Sequence, residues 1–128
     1  MSFTPFAADR GPIVLRGRIT GPAQALDVRL ALDTGATSTV IHLPVLLALG
    51  FDPDRDGRPV RVITASSVEV ATSVTLTRLF ALGQNRLGFP VVAHALPAGA
   101  AVDGLLGLDF LRGHVLTLDF RAGSIALA

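Results

Sequence analysis

Asp33, Thr34 and Gly35 bring an acid, a hydroxyl and a glycine together in Leu30-Ala31-Leu32-Asp33-Thr34-Gly35-Ala36-Thr37-Ser38-Thr39-Val40-Ile41. Apolar flanks predict that Asp33 ends a buried strand, where a lone carboxylate is costly. Gly35 lets the backbone reverse sharply and approach closely. The Thr34 hydroxyl can bond local or neighbouring backbone. With no basic partner in its own stretch, Asp33 is a candidate working group, able to take or give a proton. Rival acids are Asp103, read as a turn residue, and Asp109, read as favoured at the start of a short helix. His42, His94 and His114 are far apart and lack ligand spacing, so no metal site is expected.

Positioning Asp33 requires a strand that ends at it. Leu26, Val28, Leu30 and Leu32 alternate with Asp27, Arg29 and Ala31, a period of two with one apolar face. Residues 13–20 read as the strand before it, with a turn at Gly21-Pro22, and residues 1–12 as an arm or edge segment. A short strand is predicted over 39–41. A short helix follows over 43–50, with Pro44 in its first turn and Gly50 as its stop. Residues 51–59 read as a surface loop. Strands over 60–64 and 68–82 form a hairpin around Ala65-Ser66-Ser67. A turn at Gly83-Gln84-Asn85 leads to a strand over 89–95, weakened at its start by Pro90. Leu105-Leu106-Gly107 is an extended apolar pair ending in glycine, and barely more than one helical turn fits before Gly113. Residues 114–120 and 124–127 read as a terminal hairpin. Many short strands at close spacing make the chain mainly β, a compact sandwich or barrel, read as a single domain over residues 1–128.

Composition excludes several classes of function. Half of the chain is apolar and 16% is charged, which argues against global disorder. There is no cysteine, hence no disulfide framework, thiol nucleophile or zinc-thiolate site. The eleven basic residues are all arginine and scattered along the chain, and phenylalanine alone supplies aromatic surface. That is thin material for base stacking, and no nucleic-acid partner is expected. No phosphate-cradling glycine loop is present, and no cofactor is expected. The longest apolar run, over 43–49, is too short to cross a bilayer. No basic segment followed by an apolar run opens the sequence, so the expectation is a cytoplasmic protein without a membrane partner.

The Asp33-Thr34-Gly35-Ala36 string, continued by Thr39-Val40-Ile41, resembles the active-site loop of the retropepsin-like (retroviral-type) aspartic proteases, bacterial members in particular. Leu105-Leu106-Gly107, followed by Leu108-Asp109-Phe110-Leu111, looks like that family's second signature, an apolar-apolar-glycine element that threads the active-site loop. The resemblance spans about residues 13–128. It implies a closed barrel or sandwich of the acid-protease type with one or two short helices. It also implies a homodimer that hydrolyses peptide bonds by water activated between two Asp33 carboxylates, one per subunit. Thr34 then resembles the residue that bonds across to the partner's loop, and Gly35 the substrate-facing turn. Residues 61–70 stand where the family has a flap over the substrate, with Thr64, Ala65, Ser66 and Ser67 at its tip in place of the usual glycines.

Two further departures carry expectations. Ala36 replaces a hydroxyl residue usual in pepsin-like enzymes, so activity in mildly acidic to near-neutral solution is expected. Thr37 and Leu108 stand where retroviral enzymes carry a paired acid and arginine, so the viral pattern of dimer contacts does not transfer. The terminal segments, about 4–13 and 124–128, are the interface candidates. Expected partners are a second copy of the chain and an extended peptide or protein, with hydrophobic residues flanking the cut. The alternatives are an inactive dimerisation or peptide-binding module that keeps the fold, and a protease that processes only its own precursor.

Overall fold

The computed structural model describes residues 2–63 and 66–128. The strands are β1 (Thr4–Pro5), β2 (Val14–Thr20), β3 (Ala25–Leu32), β4 (Val40–His42), β5 (Arg58–Ile63), β6 (Val68–Ala81), β7 (Gln84–His94), β8 (Gly104–Leu106), β9 (Leu116–Asp119) and β10 (Ser124–Leu127). Three short helices join them: α1 (Leu43–Ala48), α2 (Pro53–Asp56) and α3 (Leu108–Leu111).

Alternation in β2 and β3 puts Leu15, Ile19, Val28 and Leu30 inside and Arg16, Arg18, Asp27 and Arg29 outside. An inward apolar row on each strand has to be covered, and closing the sheet on itself does so without leaving an edge. The pairing order is β2-β3-β8-β4-β7-β6, and β6 returns to β2 to complete a six-stranded barrel. β3–β8 and β4–β7 are parallel; the other four pairings are antiparallel. Leu30, Ile41, Leu76, Leu79, Leu106 and Phe110 are fully buried in the shared core. Each such side chain contributes about 1.5–3 kcal/mol by leaving water. The fold is mainly β, a closed barrel with few short helices, as the sequence predicts.

β6 does two jobs because of its length. Its second half completes the barrel, while its first residues, Val68 to Ala71, pair with β5 alone; Thr72 and Ser73 pair with both β5 and β7. This hairpin projects from the barrel and leaves Ile63, Val68 and Val70 exposed. Thr64 and Ala65, expected from the sequence at its tip, lie outside the described residues.

Two local expectations are corrected. The segment 51–59 is not all loop: α2 occupies one turn, because Asp52 caps it by accepting from the Asp54 N–H at 3.0 Å and Pro53 suits its first position. β7 begins at Gln84, not near Phe89, because the reversal before it is a two-residue turn at Leu82-Gly83. Both turn residues have positive φ, +52° and +72°, the mirror-image turn that matches strand twist. Leucine is disfavoured there by about 1–2 kcal/mol. Leu82 is nonetheless buried, and that burial offsets the strain. At the C-terminus, β10 is the middle strand of a separate three-stranded sheet, β1-β10-β9, and is paired on both sides within one chain. The free edges of that sheet are β1 and β9.

Candidate active site

Asp33 follows directly from the last residue of β3. Its N–H donates to the Leu106 carbonyl at 2.9 Å, which carries the parallel β3–β8 ladder up to the acid. The chain then reverses. The Ala36 N–H reaches the Asp33 carbonyl at 3.2 Å, and the Gly35 N–H donates to Asp33 Oδ1 at 2.9 Å. Asp33 is half-buried, while Thr34 and Gly35 are exposed. Among the described residues the Thr34 hydroxyl has no hydrogen-bond partner, so it is free to meet a group from outside the chain.

What holds this loop is the segment 106–109. The Leu108 and Asp109 N–H groups donate to the Ala36 and Thr37 carbonyls at 2.8 and 3.2 Å. Thr39 is fully buried and sits at the centre of the tie. Its hydroxyl donates to Asp109 Oδ1 at 2.7 Å and accepts from the Gly107 N–H at 3.1 Å. Its own N–H donates to both Asp109 oxygens at 3.0 Å. Gly107 passes so close to the loop that a Cβ there would lie 2.7–2.8 Å from backbone atoms of Ser38 and Ala36. Any side chain would push the loop away. Arg86 supports the same corner, with its guanidinium 4.3 Å from the Phe110 ring centre and donating to the Phe110 carbonyl at 2.9 Å.

Two rival acids are thereby accounted for. Asp109 lies in the first turn of the short helix α3, as expected, and spends its carboxylate on Thr39. Asp103 accepts from the Arg29 N–H at 2.8 Å and donates its own N–H to the Arg29 carbonyl at 2.7 Å, bracing β3 beside β8. Sequence reading missed the Thr39–Asp109 clamp. Its signal was a threonine ending the motif stretch and an acid two residues past Gly107, 70 positions away. The clamp ties the two segments that, in the viral pattern, an acid and an arginine tie from the positions of Thr37 and Leu108.

The loop stands between two cavities. The larger, about 920 Å³, is lined by Asp33 with Ala31, Leu32, Leu105 and Val102, and by Arg10, Gly11 and Pro12 of the N-terminal arm. The arm is held by β1 on β10, by the Phe6 N–H on the Gly123 carbonyl at 2.9 Å, and by Phe6 edge-on to Phe120 at 5.3 Å. The smaller cavity, about 410 Å³, lies between the loop (Gly35, Ala36, Thr37) and the β5 arm of the projecting hairpin (Arg61, Val62, Ile63). Asp33 is the one acid that lines either cavity among the described residues. His42 and His94 come into register on β4 and β7, but the His42 ring accepts from the Leu96 N–H at 2.9 Å and His114 lies elsewhere, against the Arg112 carbonyl. Among the described residues no group of three or more metal-ligating side chains is gathered. None of their helices is long and apolar enough to cross a membrane.

Comparison with known proteins agrees with this geometry. The family model described as aspartyl protease matches residues 15–110, from β2 to α3, and so takes in both the loop and the segment that ties it. Among solved structures, the crystal structure of a retropepsin-like aspartic protease from Rickettsia conorii matches with a TM-score of 0.68 at 19% sequence identity. The match covers 98% of this chain and 88% of that one, a likeness of fold across the whole barrel and the terminal sheet. No match is found among curated proteins. A half-buried aspartate on a clamped Asp-Thr-Gly loop, a barrel of this topology and a family match over most of its length lead to one conclusion: the chain belongs to the aspartyl protease family, with a retropepsin-like fold.

Proposed function

We propose that the protein is an aspartic endopeptidase that works as a homodimer, with one Asp33 from each copy flanking a twofold axis. One observation carries the reading: the loop is rigidly clamped from behind, open in front, and holds a single carboxylate. Asp103 and Asp109 are both committed to backbone and hydroxyl groups, so a second working acid has to come from a second chain. Two carboxylates brought together cannot both ionise easily and hold one proton between them. The ionised one takes a proton from a water lying between them, and the water attacks the peptide carbonyl. The protonated one gives its proton to the carbonyl oxygen. Collapse of the tetrahedral species breaks the C–N bond, with a proton passing to the leaving nitrogen.

In this reading Thr34 and Gly35, both exposed, meet the partner's loop and the substrate. The β5–β6 hairpin covers the substrate as a flap, with Thr64, Ala65, Ser66 and Ser67 at its tip. Its exposed Ile63, Val68 and Val70 favour such a role, because apolar groups held out from a barrel gain by closing on something. Leu105, Leu106 and Gly107 support the loop, and Ala36 lines the cavity beneath the hairpin.

The test is digestion of a mixed peptide library by the protein and by Asp33→Asn, between about pH 4 and pH 7, where carboxylate dyads titrate. Cleavage by the first and none by the second is the expected result. A folded protein that cuts nothing at any concentration overturns the enzyme reading and leaves a peptide-binding module of the same fold.

A further inference from the structure

The outer face of β2 and β3 carries a ladder of side chains that leads to Asp33. Its first rung is Arg18 opposite Asp27, an ion pair at 2.6 Å. The next rung on the same face is Arg16 opposite Arg29, two like charges in direct register. The one after that is Val14 opposite Ala31, and two residues on stands Asp33. Like charges directly opposite one another destabilise a sheet. The nearby acids are engaged elsewhere: Asp27 is taken by Arg18, and Asp103 is bound to the Arg29 backbone. Among the described residues neither Arg16 nor Arg29 forms an ion pair, and nor does Arg10.

All three of these arginines line the 920 Å³ cavity that Asp33 opens into, and Asp33 is the only acid among its lining residues. The floor is apolar, from Val14, Ala31, Leu32, Val102 and Leu105, so the site is a greasy trough with a cationic wall. Arg29 lies four residues before Asp33 on the same side of the strand, roughly 13 Å away at strand rise. The same distance spans about four residues of an extended peptide.

We propose that this cavity selects peptide substrates bearing a glutamate or aspartate side chain within about four residues of the scissile bond, held by Arg16 and Arg29, with Arg10 lining the same cavity. The proposal rests on Asp33 being the working acid of a peptidase, and it names what that peptidase prefers. The trough still favours apolar side chains beside the cut; the charge selection is added further along. Each solvent-facing arginine–carboxylate contact is worth at most about fivefold in binding, and salt weakens it.

The test uses a random decapeptide library, acetylated and amidated so that side chains supply every carboxylate, read in two ways. In the first, cleavage products give the ratio of kcat/KM for Glu over Gln at each position. In the second, Asp33→Asn protein is immobilised and the retained peptides are identified by mass spectrometry. Expected are a Glu over Gln ratio of about fivefold or more at one position within four residues of the cut, and a matching enrichment on the immobilised protein. Both should shrink in 0.5 M salt and fall towards one in Arg16→Gln/Arg29→Gln, while Arg78→Gln on β6 keeps the ratio. Charge reversal, Arg29→Glu, should turn the preference towards Lys. Cleavage without acid preference, or a preference that survives the double substitution, overturns the proposal and leaves the protease reading standing. Acid-selective retention with no cleavage by the unsubstituted protein supports the anionic site and overturns the protease reading. Neither cleavage nor acid-selective retention overturns both.

Discussion

Thr39 is the residue on which the site geometry turns, although it carries no chemistry itself. It is fully buried, and its hydroxyl satisfies the Gly107 N–H and Asp109 at once. Valine has the same shape without the hydroxyl, so Thr39→Val leaves a buried N–H without a partner and a carboxylate with one bond fewer. The expected loss is about 1–3 kcal/mol of stability, read by urea unfolding, with peptide cleavage reduced as the loop loosens. Leu82 poses the opposite balance at the same scale. Its φ of +52° suits glycine, yet Leu82→Gly is expected to destabilise the protein. Relief of about 1–2 kcal/mol of backbone strain is set against lost burial of about 1.5–3 kcal/mol and the added freedom of glycine in the unfolded chain. A higher melting temperature for Leu82→Gly would show that the burial argument fails there.

At the scale of elements, the Asp33 loop is held from behind by β8 and α3 as well as by its own turn. Gly107 joins these two elements, and its contact with Ser38 and Ala36 leaves no space for a methyl group. Gly107→Ala is therefore expected to shift the 33–39 loop, to cost about 1–3 kcal/mol or more, and to abolish cleavage with Asp33 still present. Unfolding curves and peptide digestion on the one variant check both parts. The β5–β6 hairpin contrasts with this corner: it belongs to the sheet through β6 alone and has exposed apolar residues near its tip. Elements that open and close are drawn from such sparsely buried parts of a structure.

For the molecule as a whole, the proposed dimer makes activity a property of pairs. Specific activity should fall on dilution, in step with loss of the two-chain species in sedimentation equilibrium. Mixing is a sharper check. If chains exchange freely, adding an equal amount of Asp33→Asn leaves about half of the wild-type chains paired with a wild-type partner, so activity should drop to about half. Activity unchanged by the added variant would mean that one chain works alone. Within each chain β10 is paired on both sides, so a ladder added between copies would use the β1 or β9 edge, near the exposed Phe3, Val115 and Phe120.

The sequence by itself determined the strands that alternate, the Asp33-Thr34-Gly35 reversal, the Leu105-Leu106-Gly107 element and the mainly β class, because each is written in residues close to one another. Period-two patterning declares a half-buried strand wherever it ends up, and glycine and proline mark turns locally. It misplaced the start of β7, because the Leu82-Gly83 turn depends on burying a leucine in a core that residues 81–84 do not display. Only the tertiary structure decided the rest. Barrel closure through β2–β6 and the parallel β3–β8 and β4–β7 ladders join segments far apart in the chain, and side-chain patterns state which face is buried but not against what. Those ladders set Asp109 on Thr39, withdraw Asp103 to the Arg29 backbone, and turn arginines that read as scattered into one cationic wall beside Asp33. A carboxylate or guanidinium takes its role from the groups that surround it in space, and the chain defines those only when the barrel closes.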